Sequence, residues 1–123
     1  MTRAAPQALQ LRRWRGASGW AAVVELSQLP NRVPAEVDVG GHPVVLVRLE
    51  DEVFAVDGRC PHRGGPMAEA KLEGCALRCA WHGFKYDVRT GEQVWPRGWD
   101  PAPAYSARIR NGSVELLVEK LPP

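Results

Sequence analysis

The sequence has 123 residues, the length of one domain, and its 16 basic and 14 acidic side chains leave a net charge of +2. That balance lacks the strongly basic surface by which proteins bind nucleic acid, and no stretch approaches the roughly 18 apolar residues of a membrane span. Three cysteines are too few, and odd in number, for a disulfide scaffold. We therefore expect a cytoplasmic monomer that binds neither nucleic acid nor a membrane.

The first 18 residues carry arginines at 3, 12, 13 and 15 and no acidic side chain. This segment is predicted to be a basic, disordered extension of a domain that spans residues 19–123. A twin-arginine export signal at Arg12 and Arg13 is the alternative. It is disfavoured because the apolar run that follows stops at Glu25 and no small-residue cleavage site comes after it.

Short runs rich in valine and leucine recur about every ten residues between glycine, proline, asparagine and aspartate, which is typical of β-strands joined by turns. Four strands are predicted in the first half of the chain, at 20–26, 33–39, 43–49 and 53–57, with hairpin turns at 40–42 and 50–52. Helical periodicity is scarce. An antiparallel arrangement follows from the shortness of the connections.

The second half begins with a loop-rich insert at about 58–100, in which one strand is predicted at 84–88 with Phe84, Tyr86 and Val88 on one face. The strongest hairpin signal comes later, where Asn111-Gly112 separates two strand-like runs, 105–110 and 114–119. The predicted fold class is therefore all-β, an antiparallel β-sandwich or barrel-like body with a loop-rich subdomain.

Two Cys/His pairs stand out within the insert: Cys60 with His62 in "CPHRGG", and Cys79 with His82 in "CAWHGF". Thiolate and imidazole are the ligands that zinc and iron–sulfur centres prefer, and two such loops facing each other could supply all four ligands of one site. Structural zinc is a rival interpretation, although zinc sites usually have wider spacing within each pair. An all-cysteine cluster needs four cysteines and is excluded.

The pattern C-x-H, a gap of 16 residues and C-x-x-H closely resembles the Rieske family. The segments "VFAVDGRCPHRGGPM" and "CAWHGFKYDVRTGE" extend the resemblance over roughly residues 20–118. It implies a Rieske fold with one [2Fe–2S] cluster. It also implies that Cys60 and Cys79 bind the buried iron and that His62 and His82 bind the outer iron. We expect partners to dock where these histidines emerge, because the accepting iron then lies nearest the surface.

Several positions depart from the high-potential branch of that family. Its two extra, disulfide-forming cysteines are replaced here by Gly65 and Trp81, and its serine hydrogen-bond donor is replaced by Phe84. Tyr86 matches a tyrosine that keeps one donor to the sulfurs. We expect a redox potential near the lower end of the family's range, because fewer hydrogen bonds reach the sulfurs.

Other conspicuous residues receive plainer interpretations. Gly64, Gly65 and Gly83 are expected to let the backbone approach the sulfurs. Cys75 is expected to be a partly packed free thiol and His42 to be solvated in its turn. Trp95 and Trp99 lie in a segment that resembles the proline-bearing cover of the cluster, and we expect these aromatic side chains to be core residues.

The sequence also limits the role of the protein. A terminal oxygenase needs a further iron site with two histidines and a carboxylate, but only His42 remains after the predicted ligands. A reductase needs a dinucleotide-binding fold, whose glycine-rich turn is missing. The resemblance therefore implies an electron carrier, not an enzyme, between a ferredoxin reductase and a terminal oxygenase acting on a small, for example aromatic, substrate. The alternative is the small subunit of an NADH-dependent nitrite reductase.

Overall fold

The computed structural model describes residues 19–61, 64–81 and 83–117. The predicted basic extension at 1–18 and the end of the last predicted strand lie outside the described residues. Within these ranges the chain forms eleven strands and two short 3₁₀ turns, Leu26–Gln28 and Met67–Glu69. The strands are β1 Trp20–Glu25, β2 Ala35–Val39, β3 His42–Leu49, β4 Glu52–Asp57, β5 Lys71–Glu73, β6 Ala76–Arg78, β7 Lys85–Asp87, β8 Gln93–Trp95, β9 Ala104–Tyr105, β10 Ala107–Arg110 and β11 Ser113–Leu117.

The strands form three sheets, with the orders β1-β11-β10, β2-β3-β4-β9 and β5-β6-β7-β8. Every strand pair is antiparallel, which confirms the predicted all-β class. The four strands predicted at the beginning of the chain correspond to β1–β4, and the hairpin predicted around Asn111-Gly112 corresponds to β10 and β11. Asn111 and Gly112 both have positive φ angles, 52° and 79°, as a type I′ hairpin turn requires.

The four-stranded sheet that contains β3 is buried on both of its faces. Val44 and Leu46 of β3 belong to a core shared with the β1-β11-β10 sheet. Val45 and Val47, which point to the opposite face, belong to a second core shared with the β5-β6-β7-β8 sheet. The protein is therefore built in three layers, and β3 lies at the centre of the middle one.

The predicted loop-rich insert contains more regular structure than its sequence indicates, because β5, β6 and β8 join the predicted β7 in a small sheet. Strands of three residues show too little alternation to be recognised as strands. On the outer surface of this sheet, Glu73 forms ion pairs with Arg78 at 3.3 Å and with Lys85 at 3.0 Å. The small sheet supports two loops that contain Cys60 and Cys79, and both cysteines belong to the second core.

Candidate metal centre

The first loop, residues 60–65, follows β4, and the second loop, residues 79–84, connects β6 to β7. In the first loop the Cys60 N–H donates to the Gly65 carbonyl at 2.7 Å, and the Cys60 carbonyl accepts the Gly64 N–H at 2.7 Å. The second loop repeats the pattern. Its Cys79 N–H donates to the Phe84 carbonyl at 2.7 Å, and its Cys79 carbonyl accepts the Gly83 N–H at 2.9 Å. Two segments of different sequence thus close the same hydrogen-bonded turn.

Glycine occupies the same position of both turns, four residues after the cysteine. Gly64 has a φ of 74° and Gly83 a φ of 75°, a left-handed conformation that a side chain disfavours. Gly64 and Gly83 thus let the backbone close the two turns, while the expectation that the glycines let it approach the sulfurs stays a prediction. The spacing from cysteine to histidine differs between the loops, but the spacing from cysteine to glycine does not.

The two loops face each other. A β-carbon built on Gly65 of the first loop would lie 3.3 Å from the Sγ of Cys79 and 3.0 Å from Cδ2 of Trp81, both in the second loop. Gly65 and Trp81 are the positions at which the high-potential branch was expected to hold a disulfide, and the structure places them in contact. Gly65 therefore leaves room for the Trp81 ring and for the sulfur of Cys79.

Cys60 and Cys79 are the buried ends of the two loops, with 1% and 3% of their surfaces exposed. No disulfide involves any of the three cysteines of the chain. Two buried thiols without a disulfide, on facing loops, are suited to bind a metal as thiolates. Cys75 is half-buried beside the same core, as predicted for a partly packed free thiol.

Tyr86 of β7 lies beneath the cysteines. Its hydroxyl is 3.6 Å from the Sγ of Cys60, whose S–H donates to it as a thiol. Burial raises the pKa of Tyr86, and the neighbouring sulfurs of Cys60 and Cys79 raise it further. The phenol therefore keeps its proton at neutral pH, and it can donate that proton to a sulfur that has become a thiolate.

His62 and His82, the two predicted histidine ligands, lie outside the described residues. Among the residues that the structure does describe, no group of three or more histidine, cysteine, aspartate or glutamate side chains could hold a metal ion. The four-ligand set therefore stays a prediction. The described half of the set fits a sulfur-rich cluster, since it offers two buried thiols and a buried hydroxyl donor in one place.

The expectation that Trp95 and Trp99 are core residues is wrong. Their side chains are 54% and 56% exposed, and Trp81 in the second loop is 55% exposed. The Trp99 ring contacts the Phe84 ring in an edge-to-face arrangement at a centroid distance of 5.6 Å, and Phe84 itself belongs to the second core. Trp95 approaches Gly83, where a β-carbon would lie 3.9 Å from its ring. Trp95 and Trp99 therefore lie beside the end of the second loop, to which Trp81 belongs.

The expectation that His42 is solvated is also wrong. Its ring is mostly buried between Asp57 at the end of β4 and Tyr105 of β9. Neither partner is near in sequence, so the turn around His42 gave no sign of them. A groove of about 600 Å³ lies elsewhere, between β4 and β10, and it is not connected with the cysteines.

A family model described as the Rieske [2Fe-2S] domain matches residues 19–106. Over 100 residues the chain is 31% identical to apoptosis-inducing factor 3 of Homo sapiens, covering 81% of this chain and 16% of that protein. Over 100 residues it is 29% identical to the ferredoxin component of the naphthalene 1,2-dioxygenase/salicylate 5-hydroxylase systems of Ralstonia sp, covering 81% of this chain and 96% of that protein.

Among solved structures, the chain is similar to the ferredoxin of carbazole 1,9a-dioxygenase from Nocardioides aromaticivorans IC177. The TM-score is 0.76 at 28% identity, with 80% of this chain and 97% of that chain covered. The chain thus spans 16% of the length of one of these relatives and nearly all of the two ferredoxins. The described ranges contain no helix with the length and hydropathy that a membrane span requires.

Proposed function

The chain belongs to the Rieske [2Fe-2S] domain family, and from that premise we propose that it is a one-electron carrier between a ferredoxin reductase and a terminal oxygenase. One observation carries the proposal: Cys60 and Cys79 are both buried, and they lie on two facing loops that share the same hydrogen-bond pattern. The match to ferredoxin components over nearly their whole length supports the same role. Because those relatives serve naphthalene and carbazole dioxygenases, the proposed oxygenase acts on a small aromatic compound.

The proposed ligands are Cys60 and Cys79 for one iron and His62 and His82 for the other, which is the family's arrangement of two cysteines and two histidines. When bound, the cluster supplies a one-electron redox couple. The chain holds the two sulfurs away from water in the second core and places the Tyr86 hydroxyl beside Cys60. Neutral imidazoles in place of two thiolates make the site less negative, which favours uptake of an electron.

The redox potential is proposed to lie near the lower end of the roughly −150 to +300 mV span of Rieske centres. Hydrogen bonds to the sulfurs raise the potential because they stabilise the more negative, reduced state. Phe84 has no polar atom in its side chain and packs against Trp99. The Tyr86 hydroxyl lies 3.6 Å from the Sγ of Cys60, where it can donate a hydrogen bond once that sulfur is a thiolate.

The oxygenase is proposed to dock on the tryptophan face, which consists of Trp81, Trp95 and Trp99. All three side chains are more than half exposed; Trp81 belongs to the second loop, and Trp95 and Trp99 lie beside its end. Exposed apolar patches of this kind mark interaction sites, and tryptophan is enriched among the residues that dominate binding energy. Arg97 lies between Trp95 and Trp99 in the sequence and is exposed. The complementary surface of the oxygenase is proposed to be an apolar recess with a carboxylate at its border, which would pair with Arg97.

The alternative, a small subunit of an NADH-dependent nitrite reductase, is not favoured. The relatives that the chain matches along nearly their whole length are ferredoxin components of dioxygenase systems. We also propose that the protein works in the cytoplasm, because its three cysteines form no disulfide.

The test begins with the protein as isolated. We expect about two irons and two acid-labile sulfides per chain and a Rieske-type electron paramagnetic resonance signal after reduction. The protein should then restore product formation when it replaces the ferredoxin in a reconstituted naphthalene 1,2-dioxygenase system. Stoichiometric zinc without sulfide would contradict the cluster. A reducible protein that passes no electron to the oxygenase, at any concentration, would contradict the carrier role.

A further inference from the structure

A network of three side chains lies beside the base of the first loop. Asp57 Oδ2 is 3.0 Å from His42 Nε2 and accepts the Tyr105 hydroxyl at 3.0 Å. The same hydroxyl is 3.4 Å from His42 Nε2, and the two rings meet edge to face at 6.2 Å. Only 17% of the His42 side chain and 13% of the Asp57 side chain are exposed. The network is therefore a fixed and largely buried arrangement.

Asp57 connects this network to the first loop. Its other oxygen, Oδ1, accepts the backbone N–H of Arg59 at 2.9 Å, directly before Cys60. The Asp57 N–H donates to the Pro103 carbonyl at 2.8 Å, and the Gly58 N–H donates to the Pro43 carbonyl at 2.9 Å. The carboxylate and these two backbone hydrogen bonds together fasten the start of the loop to the first residues of β3 and to the segment before β9.

We propose that His42 and Tyr105 are positioning residues for the first loop, and that the charge on His42, acting through Asp57, sets the redox potential of the site. The proposal rests on the proposed cluster but not on the identity of any partner. Asp57 is a negative charge three residues before a proposed ligand. A proton on His42 neutralises the pair, and histidine is the side chain that ordinarily gains its proton between about pH 5 and 8.

The other groups around His42 do not replace it in this role. Burial, and then the hydrogen bond to Asp57, raise the pKa of Tyr105, so its hydroxyl stays a neutral donor. Asp38 lies across the hairpin, and its Oδ1 is occupied by the Gly41 N–H. The Arg59 side chain is exposed, and only its backbone reaches Asp57. Within this network, His42 is therefore the side chain that becomes positively charged when it binds a proton.

The sign of the effect follows from linkage. A positive charge near the site stabilises the reduced, more negative state, so the potential rises as the pH falls through the titration of His42. Reduction must in turn tighten the binding of the His42 proton by the same factor. A side chain that only held the loop in place would shift the potential equally at every pH.

The test compares the holo protein with His42→Gln and Tyr105→Phe by voltammetry between about pH 5 and 9. Glutamine keeps a donor for Asp57 but gains no charge. We expect the step in the potential at the His42 titration to be lost in His42→Gln. The step should persist in Tyr105→Phe, which keeps the His42–Asp57 pair. An unchanged step in His42→Gln would overturn the proposal.

A second measurement decides the matter if a variant fails to assemble. The His42 ring of the wild-type protein is titrated by NMR in the oxidised and the reduced states. A higher midpoint of titration in the reduced protein is expected, and equal midpoints would overturn the proposal. Because neither measurement involves a partner, a failed electron transfer to the oxygenase would leave this result standing. A missing cluster would be seen first in the absorption spectrum.

Discussion

The residues that lead into the first loop are bonded to the central sheet through Asp57, whereas Gly83 and Phe84, at the end of the second loop, lie beside the exposed Trp95 and Trp99. The backbone turns themselves are alike, down to the positive φ of Gly64 and Gly83. The difference therefore lies in the surroundings of the loops. It suggests a division in which the first loop is anchored and tuned and the second is presented to partners.

Removing a sulfur is the most drastic way to test how far the loops are equivalent. Cys60→Ser and Cys79→Ser should each abolish the cluster, because a hydroxyl is a much poorer ligand than a thiolate for iron–sulfur centres. Cys75→Ser is the matched control and should keep full iron and sulfide content. Bleaching of Cys75→Ser, or retention of the cluster in either of the others, would show that the proposed ligand set is wrong.

Substitutions in the tryptophan face test whether the second loop is the one presented to partners. Trp95→Ala and Trp99→Ala should each weaken binding of the oxygenase about tenfold, or about 1.4 kcal/mol, with the spectrum and potential nearly unchanged. Trp20→Ala is the control, since Trp20 is also exposed but stacks on Arg108 in the β1-β11-β10 sheet. Titration of oxygenase with each variant measures the effect. If the oxygenase binds the wild type and both variants with equal affinity, the docking site lies elsewhere on the protein.

The long strands could be predicted because alternation over five to eight residues and an Asn-Gly turn determine both the strand and its partner. The buried Phe84, Tyr86 and Val88 were likewise readable from alternation. The exposure of Trp95 and Trp99 could not be predicted in this way, because the apolar character of a side chain does not show whether the core has space for it. That room is taken by Phe84, which lies between Trp99 and the second core.

The candidate site was predicted from ligand spacing, but its surroundings were not. Contact between Gly65 and Trp81 depends on how the two loops meet. The network of His42, Asp57 and Tyr105 joins β3, β4 and β9, and β9 comes next to β4 only in the folded sheet. Such contacts depend on strand order and register, which a local pattern does not contain. The histidine ligands and the domain boundary at residue 19 remain predictions.

Substitution of the glycines tests whether the two turns are equivalent. Gly64→Ala and Gly83→Ala should each destabilise the protein by about 1 kcal/mol, because alanine is strained at positive φ. Gly74→Ala in the β5-β6 turn, where φ is 63°, is the control for strain away from the cysteines. Thermal unfolding of all three should be similar, whereas loss of iron on dilution should accelerate only in the loop variants. Equal iron loss in Gly74→Ala would mean that the turns are not specific to the site.

The tuning assigned to the first loop can be tested at Tyr86. Tyr86→Phe removes the hydroxyl next to the Sγ of Cys60 and should lower the potential, because the reduced state loses a hydrogen bond to a ligand sulfur. Phe84→Ser, in the second loop, should raise it if the new hydroxyl reaches a sulfur. Potentiometry at one fixed pH compares the two. If Tyr86→Phe has the same potential as the wild type, Tyr86 does not donate a hydrogen bond to a ligand sulfur.

The smallest expected effect concerns charge at the tryptophan face. Arg97 is exposed between Trp95 and Trp99, and a charge at the rim of an interface acts mainly on the association rate. Arg97→Glu should therefore slow electron transfer to the oxygenase several-fold at low salt, without changing the potential. The defect should shrink as salt is added, since charges are screened over about 8 Å at physiological ionic strength. Arg110→Glu changes the same charge beside the β10-β11 turn and should leave the rate alone. If both variants slow the reaction equally in stopped-flow experiments across a salt series, net charge rather than the tryptophan face governs association.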